Sequence, residues 1–199
     1  MKNRRSKWLS IIIVVVVILL IFNYFKGTYN TMVQHSEAVD QQWANVENTY
    51  QRRTDLIPNL VNTVKGYADF ERKTLEAVIN ARAKATSIQL DPQKLTPEVM
   101  QQFQQAQAGL SGALGRLMVV VERYPELKAN QNFLDLQAQL EGTENRIATE
   151  RRKFNETARI YNTYIKMFPK NIFASMFGFK EKPYFEAVKG ADQPPKVKF

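Results

Sequence analysis

The sequence predicts an all-α protein in which a single N-terminal transmembrane helix is followed by a long antiparallel four-helix bundle. Three observations lead to this fold class. An apolar run lies near the N-terminus, hydrophobic residues then recur at steps of three and four through most of the chain, and prolines interrupt that repeat at a few places. This coiled-coil-like spacing puts apolar side chains on one stripe of each helix and favours packing between helices.

The first element is the apolar run over residues 9–22. With its aromatic flanks, the segment 8–25 would measure about 27 Å as a helix, near the lower limit for crossing a hydrocarbon core. Trp8 and Tyr24 suit the two membrane interfaces. A cleaved signal peptide is the alternative, but residues 23–27 contain no small-residue cleavage pattern. We therefore expect an uncleaved signal anchor over residues 1–27.

The charges around this anchor predict its orientation. Four basic residues precede the apolar run, and Lys26 follows it closely. The positive-inside rule then places the N-terminus in the cytoplasm and the bundle outside it. These five charges account for more than half of the formal net charge of +9. The remaining basic residues alternate with acidic ones, as on a solvated helix surface, so we expect no nucleic-acid partner.

The repeat predicts four helices in a bundle domain over residues 28–168, followed by an aromatic and basic tail over 169–199. The helices are expected near 29–53, 55–86, 98–124 and 130–168. Prolines mark the segment between the second and third helices and the ends of the third and fourth.

The first break, at residues 52–58, has two interpretations. Asp55 could cap a new helix with Pro58 in its first turn, where a missing N–H costs little. Alternatively, Pro58 could kink one long helix, because the hydrophobic repeat continues past it. We favour a corner.

The residue types argue against most enzyme chemistry. The chain has no cysteine and a single histidine, His35. No carboxylate lies three residues before His35, so the Glu-x-x-His pattern of di-iron bundles is missing, and no Gly-x-Ser-x-Gly nucleophile motif occurs. We expect no catalytic, metal or cofactor site, no small-molecule substrate and no enzymatic activity.

Several stretches carry a family resemblance. They are RRTDLIPNLV at 52–61, YPELKAN at 124–130, LEGTENRIA at 140–148, YNT at 161–163, and FGF, KPYF and KVKF in the tail. By these stretches the sequence resembles the LemA family, and the resemblance covers about residues 23–199. The resemblance implies a membrane-anchored antiparallel helical bundle of a bacterial inner (cytoplasmic) membrane. It implies no agreed activity and supplies no catalytic residues.

Helix order predicts which segments lie far from the membrane. The corners at 52–58 and 124–130 would share the membrane-distal tip, where tyrosine and arginine could bind a partner protein. Helix caps and local ion pairs are the plainer explanation. The candidate tip residues are Arg52, Arg53, Asp55, Pro58, Arg123, Tyr124, Glu126, Lys128 and Asn130.

The same order places the end of the fourth helix beside the bilayer. Aromatic residues interleaved with lysines there could form a collar at the membrane interface, or they could close the open end of the bundle core. The candidate collar residues are Phe168, Phe173, Phe177, Phe179, Tyr184 and Phe185.

Small residues form a candidate helix-packing stripe in the third helix, at Gly109, Gly112 and Gly115. The stripe could receive a bulky neighbour of the same chain, such as Trp43, or a helix of another subunit. Together these features predict a membrane-anchored scaffold or adaptor of the cell envelope, self-associating or bound to another membrane protein. The alternatives are an accessory factor to a membrane protease or enzyme, and a membrane-shaping homo-oligomer.

Overall fold

The computed structural model describes residues 2–66, 71–88 and 90–186, with side chains from Trp8 onward except that of Gln93. Within these ranges the regular structure is helical, without a strand, so the all-α fold class is confirmed. The elements are α1 (Lys2–Lys65), α2 (Arg72–Ser87), a 3-10 turn (Pro92–Lys94), α3 (Pro97–Val121), α4 (Pro125–Lys128), α5 (Gln131–Lys166) and α6 (Lys170–Phe177).

The helix starts follow local sequence signals. Thr96 caps α3 by accepting a hydrogen bond from the backbone N–H of Val99 at 3.3 Å, with Pro97 in the first turn. Asn130 caps α5 by accepting from the N–H of Phe133 at 3.1 Å. Gly178 ends α6 with a φ of 77°, a left-handed conformation that glycine adopts without strain.

The longest element, α1, joins the apolar run to the first helix of the body without a break over 64 residues. The expected corner at 52–58 is therefore wrong, and so is a second helix beginning at residue 55. The chain instead turns between Lys65 and Arg72. The alternative of one long helix through Pro58 describes this region.

A contact from another helix explains how α1 continues past Pro58. Proline has no N–H, so the carbonyl of Thr54, four residues earlier, loses its helical partner. The Nε–H of Arg82 on α2 donates to that carbonyl at 2.8 Å. Because Thr54 is buried, this bond replaces one that water could not easily supply.

The long helices pack as two antiparallel pairs. Along α1 and α5, Gln42 meets Glu150 at 2.7 Å and Arg53 meets Glu144 at 2.8 Å, so residue numbers rise on one helix as they fall on the other. Along α2 and α3, Gln107 donates to the carbonyl of Ala85 at 3.3 Å, whereas Glu71 at the start of α2 meets Arg123 at 3.8 Å.

Two clusters of buried side chains hold these pairs together. The cluster nearer the N-terminal apolar run centres on Trp43, whose ring lies 5.6 Å from those of both Phe103 and Phe154. The other cluster includes Leu60 and Leu117, both fully buried. Aromatic edge-to-face pairs and aliphatic burial are the main sources of cohesion in such a body.

The apolar run lies outside both clusters. A window of α1 that begins near Trp8 has a mean hydropathy of 2.8, and none of it is buried in the protein. Leu20, for example, is 65% exposed. A long apolar surface that none of the described residues covers fits a lipid environment better than water.

We predict that the bond from Arg82 matters because of Pro58. Replacing Arg82→Met keeps the aliphatic stem but leaves the Thr54 carbonyl unpaired, which should lower the free energy of unfolding by about 1–3 kcal/mol. In a Pro58→Ala background, the new N–H can bond to Thr54, so the same replacement should cost clearly less. Urea unfolding of the full chain in mild detergent, followed by circular dichroism, measures both. An equal cost in the two backgrounds would contradict this account.

Candidate functional site

The structure divides the residues that were expected at one membrane-distal tip. Because α1 continues to Lys65, four of the candidate tip residues lie within that helix and not at a corner. They are Arg52, Arg53, Asp55 and Pro58. The other members lie at the end of the body where α3 turns into α5. They are Arg123, Tyr124, Glu126, Lys128 and Asn130. Two ion pairs hold this end, Lys128 with Glu122 and Arg123 with Glu71.

Arg53 lies at the centre of a polar network. Its side chain is only 2% exposed. One terminal nitrogen, Nη1, donates to Ser111 Oγ and to Glu144 Oε2, both at 2.8 Å, and Nη2 donates to the side-chain oxygen of Gln107. The third nitrogen, Nε, is buried without a hydrogen-bond partner among the described residues. Arg53 thus ties α1 to both α3 and α5 and keeps one donor unused.

A cleft of about 530 Å³ opens beside this network, between α1, α3 and α5. Its lining combines glutamine amides, a tyrosine and two arginines with apolar patches. The residues that line it are Tyr50, Arg53, Gln101, Gln104, Gln105, Gln107, Ala108, Ser111, Glu144, Ile147, Arg151 and Glu186.

The charged and aromatic groups of the cleft hold one another in place. Arg151 donates to Gln104 Oε1 at 3.2 Å and to the Glu186 carbonyl at 2.8 Å. Burial raises the pKa of Tyr50, although Arg151 and Arg53 act in the opposite direction. Its hydroxyl therefore stays protonated at neutral pH. Amides, a phenol and guanidinium groups can bind the polar groups of a peptide chain by hydrogen bonds.

The glycine stripe faces away from the body. Gly109, Gly112 and Gly115 are exposed on α3. A Cβ atom at Gly109 or Gly115 would meet nothing within 4 Å, and one at Gly112 would reach only the flexible end of Arg116, at 4.0 Å. The alternative in which these glycines receive Trp43 is wrong. The Trp43 ring instead packs in the core, against the buried Phe103 of α3.

Three of the six candidate collar residues gather where α1 leaves its apolar run. The ring of Phe173 lies 4.4 Å from that of Phe25, and the rings of Phe177 and Phe179 lie 5.0 and 5.8 Å from that of Tyr29. Phe168 is 80% exposed. Tyr184, 42% exposed, bonds to Asn162 farther along α5.

Phe185 does not belong to the collar. It is 5% exposed and stacks on Trp43 at 6.0 Å. The reason is that the chain after α6 turns back along α5. The Tyr161 hydroxyl bonds to the Lys180 carbonyl at 2.9 Å, and Arg151, ten residues earlier on α5, bonds to the Glu186 carbonyl.

Two asparagines of α5 fix this returning segment, a role that no local sequence pattern predicts. Asn162 accepts from the N–H of Lys182 at 2.9 Å and donates to its carbonyl at 2.8 Å. Asn155 makes the same pair of bonds with Phe185, at 2.8 and 2.9 Å. Each side-chain amide thus pairs with one residue as a neighbouring strand would. Asn162 belongs to the YNT stretch at 161–163, which the sequence analysis treats only as part of the family resemblance.

We predict an unequal response of two carboxylates on α5. Glu144→Ala removes the charge that neutralises buried Arg53, so the free energy of unfolding should fall by about 1–3 kcal/mol. Glu156, which pairs with Arg159 on the exposed surface, is the matched control, and Glu156→Ala should leave the unfolding midpoint in urea unchanged. Similar midpoints for the two variants would show that the Arg53 network does not stabilise the body.

Sequence comparison with known proteins identifies the family of this chain. The sequence model of the LemA family matches residues 42–199. Magnetosome protein MamQ 2 of Paramagnetospirillum magneticum is 32% identical, over 83% of this chain and 67% of that protein. Magnetosome protein MamQ of Magnetospirillum gryphiswaldense is 28% identical over the same shares, and Protein LemA of Metamycoplasma hominis is 22% identical over 92% and 80%. With its exposed apolar helix, the chain is a membrane-associated protein, and it belongs to the LemA family.

Proposed function

We propose that this protein is a non-catalytic, membrane-anchored adaptor that binds a partner protein on the outer surface of α3. The carrying observation is the set of three exposed glycines, beside which the described part of the chain leaves open space. We call this surface, with the adjoining cleft wall, the α3 face. It comprises Gln101, Gln105, Ala108, Gly109, Gly112 and Gly115.

The energetic reason is that glycine is a poor residue for the interior of a helix. Each glycine in place of alanine costs about 1 kcal/mol of helix stability. Alanine would fit at Gly109 and Gly115 without any contact. No described residue therefore requires glycine there, whereas a partner backbone approaching closely would require it.

The cleft extends the α3 face toward α5. Ala108 and Ser111 line the cleft and flank Gly109 and Gly112 in sequence, so the open helix surface and the cleft are continuous. Arg53 and Glu144, which carry opposite charges, line the same cleft. Farther along α3, Val119 is 70% exposed and adds apolar area. A surface with a small-residue centre, apolar patches and polar edges suits protein association.

Membership of the LemA family supports a location in a bacterial inner membrane, and the charge pattern at the N-terminus supports an orientation with the body on the outer side. The packing of Phe173 against Tyr24 and Phe25 supports retention of the N-terminal segment, because cleavage near residue 28 would remove two of the rings that α6 contacts. The adaptor would therefore present the α3 face in the cell envelope.

The experiment compares two exposed helical glycines, each with room for a side chain. Gly112→Leu places a side chain on the α3 face, and Gly142→Leu places one on α5, at an exposed glycine outside the cleft lining. Both replacements should raise helix stability by about 0.5–1 kcal/mol. Only Gly112→Leu should reduce association, measured as the native mass of the full-length protein in mild detergent and by mass spectrometry of co-purifying proteins.

The composition of the complex then distinguishes the kinds of partner. Loss of a larger homo-oligomer in Gly112→Leu would identify a second copy, and loss of a stoichiometric second protein would identify an adaptor for that protein. A wild-type protein that is monomeric and bound to nothing would overturn the proposal. An association that both variants weaken equally, or that neither weakens, would also overturn it.

A further inference from the structure

The surface of α6 carries an apolar stripe that no described residue covers. Phe168, just before the helix, is 80% exposed, Ile172 is 55% exposed and Met176 is 60% exposed. Ile172 and Met176 are four residues apart and therefore lie on neighbouring turns of one side of α6, and Phe168 lies in the turn that leads into the helix. Three large apolar side chains in a row are more than the scattered exposure that is usual on a water-facing surface.

The opposite side of α6 is already used inside the protein. Ala174 is 4% exposed, and Phe173 and Phe177 pack on aromatic rings of α1. This short helix is thus apolar on two sides, one against α1 and one turned outward. The inner contact fixes where the outer stripe lies along α1.

That position is the end of the apolar run. Phe173 contacts Tyr24 and Phe25, which follow Phe22, the last residue of the run. At 1.5 Å per residue, these contacts lie within about 5 Å of the end of the apolar segment along the axis of α1. Aromatic rings at this level are typical of the boundary between acyl chains and headgroups.

The charges around α6 are mostly positive. Lys26, Lys166, Lys170 and Lys180 surround it, and Glu181 neutralises one of them through an ion pair with Lys166 at 2.7 Å. The ammonium group of Lys170 lies 3.8 Å from the ring centre of Tyr164, which keeps it near the edge of the helix. Lysines flanking an inserted apolar stripe favour anionic headgroups.

We propose that α6 is a second membrane element, which lies in the plane of the bilayer surface. In this arrangement Phe168, Ile172 and Met176 insert at the acyl–headgroup boundary of an anionic membrane. A single transmembrane helix alone leaves the attached body free to rotate about the helix axis. A second contact beside the helix fixes that rotation and therefore the direction in which the α3 face points. The proposal uses the membrane anchor but does not depend on a partner at the α3 face.

The absence of cysteine from the chain allows a direct test. Single replacements Ile172→Cys and Met176→Cys, labelled with the environment-sensitive dye NBD, report on the stripe in full-length protein reconstituted into nanodiscs. Leu134→Cys is the control, because Leu134 is 41% exposed at the start of α5, at the other end of the body. The lipids are mixed phosphatidylglycerol and phosphatidylcholine, with or without a doxyl spin label high on the acyl chain.

We predict that the dye emits at shorter wavelength at positions 172 and 176 than at 134. Doxyl lipid should quench it about twofold more there, because nitroxide quenching requires close contact with the acyl chains. Water-like emission without quenching at 172 and 176 would overturn the proposal. So would short-wavelength emission that doxyl lipid does not quench, because that result would place a second protein copy over the stripe.

The choice of lipid tests the role of charge. Replacing Lys170→Glu together with Lys180→Glu should reduce quenching at position 172 in anionic nanodiscs and change it little in pure phosphatidylcholine. Retained helicity by circular dichroism confirms that the variant is folded. Equal quenching of the variant and the parent in anionic nanodiscs would overturn the assignment of an anionic surface.

Discussion

The bond from Arg82 to the carbonyl of Thr54 is the contact on which the arrangement of this protein most depends. A proline inside a helix removes one backbone hydrogen bond and ordinarily bends or ends the helix. Here a side chain from α2 supplies the missing donor, so α1 runs as one element from the apolar segment to Lys65. The membrane-facing segment and the body therefore share a helix without a loop between them, and the first turn of the chain moves to the far end of the body.

The continuity of α1 determines what Arg53 can do. At a corner, this arginine would be solvated, and its charge would be available on the surface. Within a continuous helix it is buried, and it meets Ser111, Gln107 and Glu144 on two other helices. The N–H groups of a guanidinium point in fixed directions. The acceptors on α3 and α5 must therefore lie at the same level along the bundle as Arg53. The same network that holds this register forms one wall of the cleft, which links the stability of the body to the shape of its candidate binding surface.

The parts of the fold that could be predicted from the sequence are those that local pattern controls. The apolar run, the cap at Thr96 and the start of α5 after Asn130 depend on neighbouring residues. The path through Pro58 could not be predicted, because its outcome depends on Arg82 in another helix. The exposure of Gly112 on the outer side of α3 could not be predicted. A heptad repeat identifies the residues of a helix that face the core, but not what covers its other residues. Phe185 was misplaced because two side-chain amides, at Asn155 and Asn162, turn the tail back along α5.

This returning tail gives the body a second connection to the level of the membrane. Lys182, with a 10% exposed side chain, pairs with Asp40 on α1 at 2.8 Å and bonds to the carbonyl of Pro92 before α3 at 2.7 Å. Lys182 also bonds through its backbone to Asn162 of α5, so the tail that follows α6 is tied to three parts of the chain. Arg53 lies 31 residues beyond Phe22 on the same helix, which sets this wall of the cleft about 46 Å from the end of the apolar run along the axis of α1. With α6 on the membrane surface as we propose, the body would be held at two points and would present the α3 face at one height and in one direction, as an adaptor requires.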